Sequence, residues 1–159
     1  MTNEFCVAFH DLILATLSGY EAYNQQTGRP GPVNVYECTY PPPQPGYTEG
    51  EAWPYVRWAI YAGQFRKSTA SQFSIAIEAG IYTPGSQSDG NREILQLLHR
   101  LSAIAHIQPV EGHRIGEVTF AVGAQDPFRE GAQNHPYYCA RILCDCIYSG
   151  HRARCTTSK

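Results

Sequence analysis

The stretch Gln72–Ile81, QFSIAIEAGI, sets Phe73, Ile75, Ile77, Ala79 and Ile81 on alternate positions. Strict period-two alternation is the pattern of a strand with one buried face. The sheet it belongs to is therefore covered on one side and less so on the other. Just upstream, Pro54–Ala62 (PYVRWAIYA) is apolar on both faces apart from Arg57. The intervening GQFRKSTAS is turn-like, so the two strands join as a long β-hairpin. Residues 137–148 alternate again, with Tyr138, Ala140, Ile142, Cys144, Cys146 and Tyr148 on one face and Arg141 and Asp145 on the other. Val33–Cys38 and Val118–Val122 read as two shorter strands.

Two segments carry the helical period instead. Over 4–24, Phe5, Phe9, Leu12, Ile13, Leu17 and Tyr20 recur at helical spacing until Gly28-Arg-Pro ends the run. Over 89–106, Ile94, Leu97, Leu98, Leu101, Ile104 and Ala105 form one stripe, with Ser88 or Asp89 available as the N-cap. Between the first strands lies PPPQPGYTEG at 41–50, which the prolines keep out of helix and central strand. It reads as a stiff loop. The stretch 107–135 is mixed, and its GAQDPFREGAQN is a loop. The order helix, strand, hairpin, helix, strands lacks regular βαβ alternation and shows no internal repeat. It predicts an α+β fold: residues 1–150 as one domain, an antiparallel sheet with two helices on one face. Residues 151–159 follow as a flexible basic tail.

Composition narrows the function. The chain has 159 residues, 43% hydrophobic and only 16% charged, which supplies a core and excludes disorder throughout. The formal net charge of -2 argues against a surface that grips nucleic acid or anionic membrane everywhere. No apolar run is long enough to span a bilayer, and MTNEF shows no cationic stretch before an apolar one, so no signal peptide is expected. Ten Arg stand against two Lys, beside 11 Tyr. Few Lys with many Arg and Tyr is the composition of a buried protein contact.

The residues that carry chemistry are scattered. Six Cys, at 6, 38, 139, 144, 146 and 155, read as free thiols rather than a disulfide framework. Cys146, His151 and Cys155 are the one metal cluster the spacing allows, but buried cysteine is the commoner use, so no metal is assigned. His99 and His106 lie seven apart on the second helix, too far for a helical ligand pair. Cys139 with His135 is the nearest nucleophile–base pair, yet His135 precedes a proline at a strand entry. Phosphate-loop, dinucleotide, zinc-protease and serine-hydrolase motifs are missing. No catalytic residue and no cofactor are assigned. Tyr55, Arg57, Trp58 and Tyr61 have the residue types that stack single-stranded nucleic acid, but without a Lys-rich groove a subunit contact is the better reading.

Three features in sequence form a further pattern. A strand V-x-V-Y leads through the proline-rich loop into Pro54-Tyr55-Val56-Arg57-Trp58. The hairpin's second strand then runs into Gly80-Ile-Tyr82 and the turn Ser86–Gly90, followed by the helix NREILQLLHRL. Finally, His135-Pro136-Tyr137-Tyr138 opens the last strand. In this order, over roughly residues 33–148, the chain resembles the tail terminator (tail completion) proteins of long-tailed bacteriophages. It departs from them in its longer N-terminal helix and Cys-rich last strand.

The resemblance implies a non-catalytic virion subunit, assembled in the host cytoplasm, that forms a homo-oligomeric ring, usually six-fold. Such a ring caps the finished tail tube and joins it to the head-side connector. Its partners are then its own copies, the tail tube protein and a head-tail connector protein. DNA crosses the lumen without specific binding, and no membrane is involved. Under this reading the candidate contacts are Tyr61, Gln64, Phe65, Arg66 and Lys67 on the hairpin. Asp126, Phe128, Arg129 and Glu130 form a second set in the loop 125–134. Two other readings stay open. One is a different phage neck or head-completion adaptor, distinguished by binding the portal side. The other is a small cytosolic enzyme, which requires a pocket gathering His135, Cys139 and a carboxylate.

Overall fold

Alternation along the two central strands organises the computed structural model, which describes residues 3–37, 54–65, 71–106, 110–122 and 136–148. The elements in chain order are α1 (Asn3–Thr16), β1 (Glu21–Asn24), β2 (Arg29–Pro32), β3 (Asn34–Glu37), β4 (Tyr55–Phe65) and β5 (Ser71–Tyr82). Then come α2 (Gln87–Ser102), a 3-10 turn (Ala103–His106), β6 (His113–Val122) and β7 (Tyr137–Tyr148). β5 and β7 pair antiparallel through eleven consecutive residue pairs, from Gln72↔Ile147 to Tyr82↔Tyr137, with no register shift. β4 closes on β5 as the expected long hairpin, and β6 closes on β7, giving a five-stranded sheet in the order β3-β4-β5-β7-β6.

The predicted faces are the observed ones. Phe73, Ile75, Ile77, Ala79 and Ile81 are at most 3% exposed, and Tyr138, Ala140, Ile142, Cys144 and Cys146 at most 2%. Both helices lie over this face. α1 sends Phe5 against Phe73 edge-on, with ring centroids 4.9 Å apart, and Phe9 against Trp58 at the same distance. The indole N–H of Trp58 donates to His10 Nδ1 at 3.2 Å, so its one polar atom is paired inside the core. From α2, Ile94, Leu97, Leu98 and Leu101 all point inward. Each fully buried side chain of this size stabilises the fold by about 1.5–3 kcal/mol.

The fold class is α+β, as expected, but the sheet is mixed rather than antiparallel. β3 runs parallel to β4, pairing Asn34 with Tyr55 through Glu37 with Trp58. A parallel neighbour requires a crossover of a dozen residues or more, and the stretch between Glu37 and Tyr55 is long enough. Strand direction leaves no mark on a four-residue hydrophobic pattern. The first helix is also shorter than its periodicity indicates. Gly19 takes a left-handed φ of 73°, which ends α1 and turns the chain. Residues 21–32 then form a hairpin, β1 antiparallel to β2. Its turn is held by Asn24, whose side chain accepts from the backbone N–H of Gln26 at 2.9 Å and Thr27 at 3.2 Å.

Arg100 ties the end of α1 to α2. Its Nε donates to the Thr16 carbonyl and its Nη2 to the Ser18 carbonyl, both at 2.8 Å. These are carbonyls a helix end leaves without intrahelical partners. The second helix begins earlier than 89, because its N-cap is Ser86 and not Ser88 or Asp89. Ser86 and Asp89 form a reciprocal capping box: Ser86 Oγ accepts from the Asp89 N–H at 3.3 Å, while the Ser86 N–H and hydroxyl donate to the Asp89 carboxylate at 3.1 and 2.6 Å. The regular helix stops at Ser102, and the predicted remainder continues as the 3-10 turn. β6 starts at His113 rather than 118. The proline-rich stretch 41–50, the loop 125–134 and the tail 151–159 lie outside the described residues.

Gly90, in the first turn of α2, lies directly on the ring of Tyr138. A Cβ built there sits 2.1 Å from Cε2 and 2.2 Å from Cζ. Tyr138 is fully buried and cannot yield. Gly90→Ala gains about 1 kcal/mol of helix propensity but incurs overpacking near the upper end of about 1–3 kcal/mol. The expected result is a clear drop in Tm in thermal unfolding. An unchanged Tm means that α2 does not seat on β7 at this distance. The capping box makes a second prediction. Hydrogen bonds from Ser86, side chain first and backbone second, hold the Asp89 carboxyl below its ordinary 3.8. A lowered folded-state pKa contributes stability above 3.8 that is lost as the pH falls through the folded value. Asp89→Asn should flatten this acid limb in a circular-dichroism pH titration.

Candidate functional site

Among the described residues the helices leave the second face of the sheet open, and period two dictates which side chains occupy it. One cross-strand row runs Tyr36, Arg57, Glu78, Arg141 over β3, β4, β5 and β7. The next row is Ala59, Ala76, Leu143 and Thr119. Beyond it, Ser74 pairs with Asp145, and Gln72 with Ile147, which faces Arg114 on β6.

The first row is an organised ion-pair network. Glu78 Oε1 lies 2.7 Å from Arg57 Nη2, and Oε2 lies 3.2 Å from Arg141 Nη2. The Tyr55 hydroxyl also donates to Oε1 at 2.9 Å. One half-buried carboxylate is thus shared by two guanidinium groups and a phenol, which orients both arginines over the sheet. Farther along, the Ser74 hydroxyl donates to Asp145 Oδ1 at 2.6 Å. At the opposite end, Tyr23, Tyr82 and Tyr137 form a chain of ring contacts at 5.7 and 5.2 Å, and Gln25 Nε2 donates to the Tyr137 hydroxyl at 3.1 Å. The β1–β2 hairpin therefore closes that end of the face. Between the polar groups stand exposed apolar side chains: Leu143 at 38% and Ile147 at 43%.

Of the motif residues, Tyr55, Tyr137 and Tyr138 are brought to one end of the sheet but to both its faces. Tyr138 belongs to the core, Tyr137 to the open face, and Tyr55, although on the open face, is itself buried. Pro54 precedes β4, where its carbonyl accepts from the Asn34 N–H at 3.0 Å. Pro136 offers its carbonyl to the Thr83 N–H at 2.9 Å. Both prolines therefore fix strand entries. Among the candidate contacts, Tyr61, Gln64 and Phe65 lie in the far half of β4. Tyr61 is the extra residue of a bulge between Ile60 and Ala62, and Gln64 pairs with Gln72. Arg66, Lys67, Asp126, Phe128, Arg129, Glu130 and His135 lie outside the described residues, as do His151 and Cys155.

Two cysteines, Cys139 and Cys146, are held as thiols. Burial raises the Cys139 thiol, a shift its 3.7 Å contact with the Tyr55 hydroxyl only partly offsets. Cys146 is raised further, first by its hydrogen bond with Cys144 and then by burial. Thiolate is the form that attacks and that binds metal, so both environments oppose such roles. Beside α2, a shallow groove of about 470 Å³ is lined by Tyr20, Leu95, Gln96, His99 and Arg100. Its one permanent cation is already spent on the Thr16 and Ser18 carbonyls. No helix among the described residues is long and apolar enough to cross a membrane.

No protein-family model matches the chain, and no curated protein matches it either. The open face was only half legible beforehand. Period two had already set Arg57, Arg141 and Asp145 apart from the apolar positions, but their convergence on Glu78 depends on the strand order.

Replacing Glu78 by Gln keeps the shape and removes the charge that orients both arginines. The pairs are partly solvated, with Arg57 33% and Arg141 52% exposed, so the expected loss is about 1 kcal/mol in urea unfolding. A variant as stable as the parent means that the row is not held together by this carboxylate.

Proposed function

We propose that this chain is a non-catalytic, ring-forming structural subunit: a tail terminator of a long-tailed phage that caps the tail tube and joins it to the head-side connector. The observation that carries the reading is the open sheet face, where a satisfied Arg–Glu–Arg network frames exposed Leu143 and Ile147. A sheet surface of fixed arginines and exposed apolar side chains suits another protein surface better than a small molecule. The scarcity of Lys and the order of the strand-entry motifs support the same reading. The raised Cys139 thiol weighs against the Cys/His enzyme.

In this reading the mechanism is geometric. Each subunit offers one surface to a neighbour and a different one to the next, and rotation closes the ring. The closed ring matches the end of the tube and stops its growth.

Mass photometry of the purified chain, followed by negative-stain imaging with tail tubes, tests this. A closed ring, or density capping tube ends, is the expected result. A monomer that ignores tube ends overturns it, and capture by the connector alone points to a neck adaptor instead. Phe65→Ala and Phe128→Ala should each break assembly while leaving the monomer folded. Tails of normal length from both variants would remove the hairpin and the 125–134 loop as contacts.

A further inference from the structure

The outer surface of α1 carries an unused stripe. Glu4, Val7, Asp11 and Leu14 follow one another at helical spacing of three or four residues, facing away from the core. Val7 is 54% exposed and Leu14 46%. Glu4 and Asp11 are exposed beside them, and α1 contains no Lys or Arg. The stripe is acidic and apolar.

The open sheet face has the opposite sign. Among the described side chains three arginines, Arg57, Arg141 and Arg114, stand on it against two carboxylates, Glu78 and Asp145, which leaves one positive charge in excess. Leu143 and Ile147 supply the apolar part. Spacing agrees as well. Val7 and Leu14 lie about 10 Å apart along the helix, and Leu143 and Ile147 about 13 Å apart along β7. The difference is within the reach of aliphatic side chains.

Resting on the ring reading, we infer that the subunit contact is helix on sheet: the acidic α1 stripe of one copy docks on the basic open sheet face of the next. The two surfaces belong to opposite sides of one helix-and-sheet stack, because α1 covers the face that the open one turns away from. In a two-fold dimer the contact and its symmetry image must form together across one interface, which surfaces on opposite sides of a subunit cannot do. A head-to-tail contact uses both surfaces of every copy, and this is the type that closes into rings.

Charge reversal separates this from other arrangements. Asp11→Arg and Arg114→Asp are each expected to weaken assembly at least about tenfold in mass photometry, because each juxtaposes like charges. Asp11 is exposed, so its replacement leaves the monomer fold intact, checked by an unchanged circular-dichroism melt. The double variant should recover assembly. So should a 1:1 mixture of the single variants, since alternating subunits then make every contact between opposite charges. Single variants that assemble like the parent, or a mixture that stays dissociated, overturn the helix-on-sheet contact and leave the ring itself standing. A parent chain that is monomeric both alone and at tube ends overturns the ring and this contact together.

Discussion

The pairing of β5 with β7 is the constraint from which the rest of the molecule follows. Eleven pairs without a register shift lock ten side chains onto one face of two adjacent strands, because a slip of one residue would turn the whole set outward. Both flanking strands, by contrast, break register once: β4 between Ile60 and Ala62, and β6 between Ile115 and Val118. The unbroken centre supplies a continuous apolar floor. On that floor α2 settles closely enough to need Gly90 against Tyr138, and α1 brings Phe5 and Phe9 down beside Phe73 and Trp58. The other face receives whatever the alternate positions hold, and these include Arg57, Glu78 and Arg141.

Most of this architecture is visible in the chain because burial and periodicity are local properties. QFSIAIEAGI and YYCARILCDCIY name their own core faces, and the leucine stripe of α2 is equally explicit. The errors arise where a local pattern is ambiguous. Leu17 and Tyr20 continue the helical spacing of α1, yet Gly19 and the Asn24 turn redirect the chain. Both signals were present in the sequence, but hydrophobic spacing outweighed them. The parallel course of β3 has no local signal at all, since a four-residue strand reads alike in either direction.

The open face shows a third degree of legibility. Its membership follows from period two, whereas its chemistry depends on which strands are neighbours. Glu78 can serve Arg57 and Arg141 together only because β5 lies between β4 and β7. Had the hairpin strand β4 paired elsewhere, the same residues would be separate surface charges. The outer stripe of α1 was obscured for a related reason. Val7 and Leu14 are apolar, and in a sequence an exposed apolar residue is indistinguishable from a core one until its helix has a partner.

The guanidinium of Arg100 bonds two carbonyls at the end of α1 while its own backbone belongs to α2. Because one rigid planar group makes both bonds, the end of α1 cannot drift from α2 without losing the two together. The helical layer therefore behaves as a single plate. A tug applied along α1 is shared with α2 at this rivet and passes through Gly90 and Tyr138 into the central strands. It is not absorbed by peeling one helix away.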